Sequence, residues 1–240
     1  MILTKNEKVK SDMTDAFVHL SPVGFFQIAE ETLTELMGEL KIDGVTAKEK
    51  YNAIWVFSKS KLRIYKNIKW NEQYTSIGFI SKITPVTIHI DVEVRNGTSE
   101  LCGYLRVELC ALDLQSGKIR KVSTVGVNDC IQSESSQTDL RFSKFDTDNL
   151  HETEQLKVRY TSIDYAGHTN NKEYIKFVLN TYSVNELKAR PIKEMDIIYI
   201  NQTFENDILT IFKGFDKGRD IFAIKKDDKY VIKCEVVRSE

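Results

Sequence analysis

Residues 160–182 read YTSIDYAGHTNNKEYIKFVLNTY, a turn of small and polar residues that leads directly into an apolar-periodic helix. The turn places Asp164 and His168 just before four backbone N–H groups that have no partner inside the helix. Such a helix N-terminus stabilises negative charge. The segment therefore predicts the start of a helix and a site where developing negative charge could be held.

The same order of signals occurs in the first half of the chain. Ser21 and Pro22 are typical of an N-cap and a first helical position, and they predict a helix from Pro22 to about Leu40. Apolar residues recur along it at three- and four-residue spacing, while the glutamates fall largely on the other face. In the second half we predict a helix from about Asn170 to Leu187. Each half therefore has one long helix with a buried face.

Alternating apolar and polar residues predict antiparallel strands after the first helix. From Val86 to Val94 the aliphatic side chains point to one face, which we expect to be the only buried one. The Asn96-Gly97 pair supplies the positive backbone angles of a tight hairpin turn. In the second half we predict a strand before the helix and four after it: Leu156 to Tyr160, Asp196 to Phe204, Ile208 to Phe215, Arg219 to Lys225 and Tyr230 to Val237.

This repeated plan predicts an α+β fold made of two tandem hotdog domains, in each of which an antiparallel sheet wraps a long helix. Residues 127–150 are rich in Ser, Asp, Gln and Asn and cannot support a core of their own. We therefore predict an N-terminal hotdog domain over 1–126, an interdomain linker over 127–150 and a C-terminal hotdog domain over 151–240.

Composition excludes several classes of function. The 34 basic and 35 acidic residues nearly cancel, so no chain-wide positive field calls for nucleic acid or an anionic membrane. No run reaches the roughly 18 apolar residues of a membrane span, and residues 1–15 lack the apolar core of a signal peptide. We expect a cytoplasmic protein. The four cysteines are widely spaced, without zinc-site pairs, so we expect reduced, mostly buried thiols, no metal and no cofactor.

The turn carries a resemblance to a known family. Val158 to Tyr174, VRYTSIDYAGHTNNKEY, resembles the catalytic segment of acyl-ACP thioesterases, which contains a D-x-N-x-H-x-N-N pattern. Asn52 to Tyr74 is similar to the strand and W-x-E turn that follow the first helix in bacterial members. The resemblance covers nearly the whole chain. It implies a double hotdog that hydrolyses fatty acyl-acyl carrier protein, with an acyl carrier protein bearing an acyl-phosphopantetheine as its partner.

By this resemblance, Asp164 and His168 correspond to the catalytic aspartate and histidine of the family. The carboxylate would act as base or nucleophile toward the thioester, and the imidazole would orient the reacting groups. Gly167, Asn170 and Asn171 would shape the helix N-terminus, whose backbone N–H groups are the expected oxyanion donors. The structural alternative is that this pattern only builds a turn and caps the helix.

Two positions depart from the family pattern. Ala166 stands where the family has a catalytic asparagine, and Gln202 stands where it has a catalytic glutamate on the strand after the second helix. An amide cannot act as a base near neutral pH. Either Gln202 orients a water for Asp164 and His168, or the chain binds thioesters and hydrolyses them slowly. An acyl-CoA thioesterase and a non-catalytic acyl-thioester-binding hotdog protein are therefore alternatives.

Three cations line one face of a predicted strand, because Lys59, Lys61 and Arg63 alternate along it. They form either a solvated sheet face or a patch for the acidic carrier protein or for coenzyme A phosphates. The sequence leaves the oligomeric state open, with a homodimer as one option.

Overall fold

A computed structural model describes residues 1–128, 131, 133–135, 138 and 140–240 of the chain. The chain divides into two compact units, Met1–Arg141 and Phe142–Glu240. The predicted linker, residues 127–150, spans the boundary between them. Its first part belongs to the N-terminal unit.

The N-terminal unit places one long helix against an antiparallel sheet. Its described elements are β1 (Ile2–Lys8), α1 (Pro22–Glu39), α2 (Gly44–Tyr51), β2 (Ala53–Ile64), β3 (Gln73–Ile83), β4 (Thr87–Asn96), β5 (Leu101–Asp113) and β6 (Ile119–Arg120). The strands pair in the order β1-β3-β4-β5-β2, and β6 pairs with β5. Helix α1 packs mainly on β3.

Helix α1 begins where the sequence predicts. Ser21 accepts a hydrogen bond from the N–H of Gly24, and Pro22 is the first helical residue. On the buried face, Phe25 is fully excluded from solvent, and burying a side chain of this size contributes roughly 1.5–3 kcal/mol. A Cβ atom on Gly103 of β5 would come within 2.3 Å of the Phe25 ring. Glycine at this position therefore lets the helix approach the sheet closely.

The C-terminal unit follows the same plan with a shorter helix. Its described elements are β7 (His151–Lys157), α3 (Asn171–Leu179), α4 (Val184–Ala189), β8 (Ile192–Tyr199), β9 (Ile208–Asp216), β10 (Arg219–Lys226) and β11 (Lys229–Arg238). The strands pair antiparallel in the order β8-β11-β10-β9-β7. Tyr174, Ile175 and Val178 form the buried face of α3. A helix beside an antiparallel sheet in each unit confirms the α+β double-hotdog prediction.

Several predicted bounds in the second half are wrong. The strand expected at Leu156 to Tyr160 is β7, which ends at Lys157. The helix predicted from Asn170 to Leu187 ends at Leu179, because Ser183 and Glu186 form a capping box that starts the separate helix α4. The strand predicted from Asp196 to Phe204 runs from Ile192 to Tyr199. Gln202 therefore lies beyond the end of this strand.

Strand β4 is covered on both faces, whereas the alternation predicted only one. Asp91 is 0% exposed. It accepts a 2.5 Å hydrogen bond from the Tyr104 hydroxyl and two from Arg106, at 2.6 and 2.8 Å. Arg106 also donates to the carbonyl of Leu140 at 2.5 Å, so part of the predicted linker lies over this face.

The connection between β4 and β5 is wider than the tight turn predicted at Asn96-Gly97. It spans residues 97–100, and the positive φ of 64° falls on Ser99. The Asn96 side chain holds this loop by accepting hydrogen bonds from the N–H groups of Thr98 and Glu100. Helix α2, with Asp43 as its N-cap, was not predicted from the sequence.

Candidate functional site

The turn that contains Asp164, residues 163–169, is built by that residue's own carboxylate. Asp164 Oδ1 accepts hydrogen bonds from the backbone N–H of Ala166 at 2.8 Å and of His168 at 3.4 Å. The Asp164 N–H donates to the His168 carbonyl at 2.9 Å, and the Gly167 N–H donates to the Asp164 carbonyl at 3.0 Å. Gly167 has a φ of +81°, which favours glycine. Asp164 and Gly167 thus shape the turn that presents His168.

His168 lies on an accessible surface with an aromatic rim. Its ring packs edge-on against Phe204, with ring centroids 5.1 Å apart. Phe204 is 49% exposed, Tyr160 is 79% exposed and Tyr165 is 97% exposed. The imidazole makes no hydrogen bond to the part of the chain that the structure describes. It is therefore available to a substrate.

The start of α3 leaves one backbone donor open. Asn170 is the N-cap, and its side chain accepts a hydrogen bond from the N–H of Lys172 at 2.9 Å. The N–H of Asn170 donates to Ser162, and that of Glu173 donates to the Asn170 carbonyl. The N–H of Asn171 has no partner inside the helix and none among the described residues. Of the three predicted positions, only Asn171 offers a free oxyanion donor, because the N–H groups of Gly167 and Asn170 are used in the turn.

Gln202 is exposed, and the buried neighbouring residue, Thr203, holds the backbone of its segment in position. Thr203 is fully buried and accepts a 2.8 Å backbone hydrogen bond from the N–H of Thr169. This bond aligns the segment that carries Gln202 beside the segment that carries His168. Ala166 is exposed and contributes only its backbone N–H to the turn.

The N-terminal unit contains a second copy of the same turn. Asp15 Oδ1 accepts hydrogen bonds from the N–H of Phe17 at 2.9 Å and of His19 at 3.0 Å. The Asp15 N–H donates to the His19 carbonyl at 2.8 Å, and Val18 takes the positive φ that Gly167 has in the C-terminal unit. The sequence signal was a second D-x-x-x-H spacing, which the sequence analysis missed.

The N-terminal copy also has an amide at the position equivalent to Gln202. Leu20 N–H donates to the Ile68 carbonyl at 2.7 Å, which is the counterpart of the bond between Thr169 and Thr203. Asn67 therefore corresponds to Gln202. Asn67 Nδ2 lies 3.4 Å from His19 Nδ1. By contrast, the Gln202 side chain makes no hydrogen bond to the His168 imidazole among the described residues.

The duplication also limits the roles open to Asp164. Because Oδ1 builds the turn in both units, its hydrogen bonds are part of the fold and are no evidence of catalysis. Asp164 Oδ2 makes no hydrogen bond within the described part of the chain. Only this oxygen is left to act on a substrate.

The three cations predicted to bind a carrier differ in their surroundings. Lys59 lies 3.5 Å from Glu108 Oε1, with its side chain 37% exposed. Lys61 is only 5% exposed, and Arg63 is half-buried. The geometry therefore leaves Lys59 and Arg63 as the residues that a carrier could contact on β2.

Other classes of site find little support among the described residues. No group of three His, Cys, Asp or Glu side chains there could hold a metal ion. Cys102, Cys110 and Cys234 are free and buried, and burial raises the pKa of each thiol. Cys130 lies outside the described residues. No described helix is long and apolar enough to cross a membrane.

Comparisons with known proteins find a family match in the C-terminal part of the chain. Residues 145–236, which include Asp164, His168 and Gln202, match the family model of the acyl-ACP thioesterase C-terminal domain. A sequence comparison with curated proteins finds no match.

Solved structures share the fold over the full length. An acyl-ACP thioesterase from Bacteroides thetaiotaomicron is 15% identical, with a TM-score of 0.85 over 99% of this chain and 98% of that one. The 12:0-ACP thioesterase from Umbellularia californica is 13% identical, with a TM-score of 0.87 over 99% and 96%. Residues 145–236 therefore resemble the C-terminal domain of acyl-ACP thioesterases in sequence, and the whole chain shares the fold of solved acyl-ACP thioesterases.

Proposed function

We propose that this chain hydrolyses the thioester of a fatty acyl-acyl carrier protein, releasing a free fatty acid and the carrier thiol, at the turn that contains Asp164. The main support for this proposal is the geometry of the turn, which lies within residues 145–236, the range that matches the family model. One carboxylate oxygen, one imidazole and one helix N–H stay open there. These are the groups that acyl transfer from a thioester to water requires.

Each open group has a role in the proposed reaction. Asp164 Oδ2 takes a proton from water as the water oxygen bonds to the thioester carbonyl, or attacks that carbonyl itself. The N–H of Asn171 donates to the oxyanion that forms. His168 orients the reacting groups, and Gln202 holds the attacking water through its amide. Collapse of the intermediate breaks the carbon–sulfur bond, and the proton taken up by Asp164 passes to the sulfur, which leaves as the thiol. If Asp164 attacks directly, the resulting acyl-aspartyl anhydride is then hydrolysed by water, which supplies the proton for the thiol.

Two alternatives differ in carrier or in rate. The residues Ala166 and Gln202, where the family pattern has asparagine and glutamate, favour a slow enzyme or a non-catalytic acyl-thioester-binding protein. An acyl-CoA thioesterase would use the same residues on a different carrier. The deciding experiment incubates purified protein with acyl-ACPs and acyl-CoAs of several chain lengths while free thiol is followed. Faster release from acyl-ACP supports the proposal, whereas binding without release supports the non-catalytic alternative.

Carrier docking on β2 is a separate part of the proposal. An acidic carrier protein would meet Lys59 and Arg63 electrostatically. Lys59→Glu with Arg63→Glu should raise the KM for acyl-ACP more than for a short acyl thioester without a carrier, and salt should reduce the difference. Lys50→Glu on exposed α2 is the matched control. Equal effects on both substrates would contradict docking at this strand.

A further inference from the structure

We infer that Thr169, Thr203 and Tyr174 form a buried hydroxyl network that positions His168 and Gln202 for hydrolysis. The inference rests on the proposed function, because it assigns a role to residues that support the candidate site. All three are positioning residues, since none is exposed at the surface that a substrate reaches. Their relative exposures are 5%, 0% and 3%.

The three hydroxyls contact one another directly. Thr169 Oγ1 lies 2.6 Å from Thr203 Oγ1, and the Tyr174 hydroxyl lies 2.8 Å from the same Thr203 oxygen. Thr169 Oγ1 also donates to the Thr203 carbonyl at 3.2 Å. Thr203 is therefore the centre of the network.

One assignment of the hydrogens gives every hydroxyl in this network an acceptor. If Thr169 donates to the Thr203 carbonyl, its oxygen can accept from the Thr203 hydroxyl. The Thr203 oxygen then accepts from Tyr174. Burial raises the pKa of the Tyr174 phenol, so this hydroxyl keeps its proton near neutral pH. Each hydroxyl thus donates once, which leaves no buried donor unsatisfied.

The network joins the two segments that carry the site. Thr169 directly follows His168, and Thr203 directly follows Gln202. Through its hydrogen bond to Thr203, Tyr174 connects the two segments to the first turn of α3. The Tyr174 ring also packs edge-on against Tyr199, with ring centroids 6.5 Å apart. A change in the position of Thr203 would therefore move Gln202 relative to His168.

The N-terminal unit provides an internal comparison. In the copied turn, the positions of Thr169, Thr203 and Tyr174 are taken by Leu20, Ile68 and Phe25, which are buried at 3%, 0% and 0% exposure. The same backbone arrangement therefore forms with three apolar side chains. The fold does not require the hydroxyls.

The hydroxyls can hold the two segments in one precise relative position, which apolar side chains cannot do. Apolar side chains pack without directional bonds, whereas a fully satisfied buried network favours one arrangement. Such precision matters where small displacements are costly, since a misplacement of about 1 Å can cost about 100-fold in rate. The polar version occurs in the unit that matches the thioesterase domain.

The test compares variants that differ only in the hydroxyl. Thr203→Val and Tyr174→Phe keep the side-chain shape, while Thr203→Ser keeps the hydroxyl. We expect the first two to lower kcat on an acyl thioester about 10- to 100-fold with little change in KM, and Thr203→Ser to stay close to wild type. Thr32→Val is the matched control, because Thr32 and Ser76 form a 2.9 Å hydroxyl pair in the N-terminal unit, with both residues 1% exposed.

A second readout separates failure of this inference from failure of the proposed function. NMR signals of the His168 imidazole should shift in Thr203→Val and Tyr174→Phe, while those of His19 should not. Wild-type kcat in folded Thr203→Val, an equal loss in Thr32→Val, or unmoved His168 signals would overturn the inference. A wild-type protein inactive on every thioester would refute the proposed function, and the His168 signals would still decide whether the network positions the imidazole.

Discussion

Asp15 and Asp164 accept the same two backbone hydrogen bonds, although they lie in different units of the chain. Each carboxylate accepts from the residues two and four positions later, at 2.9 and 3.0 Å for Asp15 and at 2.8 and 3.4 Å for Asp164. The turn is therefore an element of the hotdog fold in this chain. If hydrolysis takes place at the C-terminal turn, as we propose, it depends on features that the N-terminal copy lacks, such as the open Asn171 N–H and the hydroxyl network.

This equivalence separates the charge of Asp164 from its role in the turn. Asn can accept the same turn hydrogen bonds through its side-chain oxygen but cannot take a proton. Asp164→Asn should therefore keep the unfolding temperature and lower turnover at least ~100-fold, the loss expected for an acid-base group. Asp15→Asn should change neither. Thiol release and thermal unfolding measured on both variants check this, and an active Asp164→Asn enzyme would contradict the proposed role of Oδ2.

Restoring a carboxylate at position 202 tests the missing base. Gln202 is exposed, so Gln202→Glu needs no repacking. If the amide merely orients water, the glutamate should raise turnover by up to ~100-fold, the contribution of a positioned base. If Gln202 already belongs to a competent arrangement, a new negative charge near the Asp164 carboxylate would be unfavourable and would lower the rate. Steady-state rates between about pH 5 and pH 9 distinguish these outcomes.

The buried Asp91 should dominate the stability of the N-terminal unit. Asp91→Ala leaves Arg106 without its carboxylate partner and Tyr104 without its acceptor. Removing one partner of a buried ion pair costs about 3–5 kcal/mol of unfolding free energy. Urea unfolding of Asp91→Ala measures this. Glu100→Ala, which removes an exposed ion pair with Lys66, is the control and should have little effect. A similarly small effect of Asp91→Ala would show that the cluster does not hold the segment near Leu140.

Glu108 should make stability depend on acid pH. A 3.0 Å hydrogen bond from His89, together with Ser58 and Lys59, lowers the pKa of Glu108 to about 2 against the opposing effect of burial. Its unfolded pKa is roughly 4.3, so its stabilising contribution is complete above that pH and is lost as pH falls toward 2. Thermal unfolding temperatures should therefore fall between pH 4.5 and 2, and less steeply in Glu108→Gln. Parallel curves for the two proteins would count against this assignment.

Local signals in the sequence were enough for the start of α1 but not for the extent of α3. Ser21 and Pro22 determine the start of α1, because an N-cap and a first-turn proline act within a few residues. The end of α3 was predicted too late because apolar spacing continues past the Ser183 capping box. The burial of Asp91 could not be predicted, since it depends on contacts with β5 and with Leu140, distant in sequence.

The candidate site was predictable as a set of residues but not as a geometry. The resemblance placed Asp164, His168 and Gln202 together in one segment, and all three lie within residues 145–236, which match the family model. It did not show that Asp164 Oδ1 and the Asn170 N–H are used in the turn, because those hydrogen bonds depend on backbone conformation. The copy at Asp15 was hidden because apolar residues replace its neighbours.

Hydrolysis of acyl-ACP at the C-terminal turn is tested most directly with the two equivalent histidines, His168 and His19. Thiol release from acyl-ACP should be measured for wild type, His168→Ala and His19→Ala, with circular dichroism to show that each is folded. We predict at least ~100-fold slower release for His168→Ala and wild-type release for His19→Ala. Wild-type release by folded His168→Ala, or an equal loss in His19→Ala, would contradict the account.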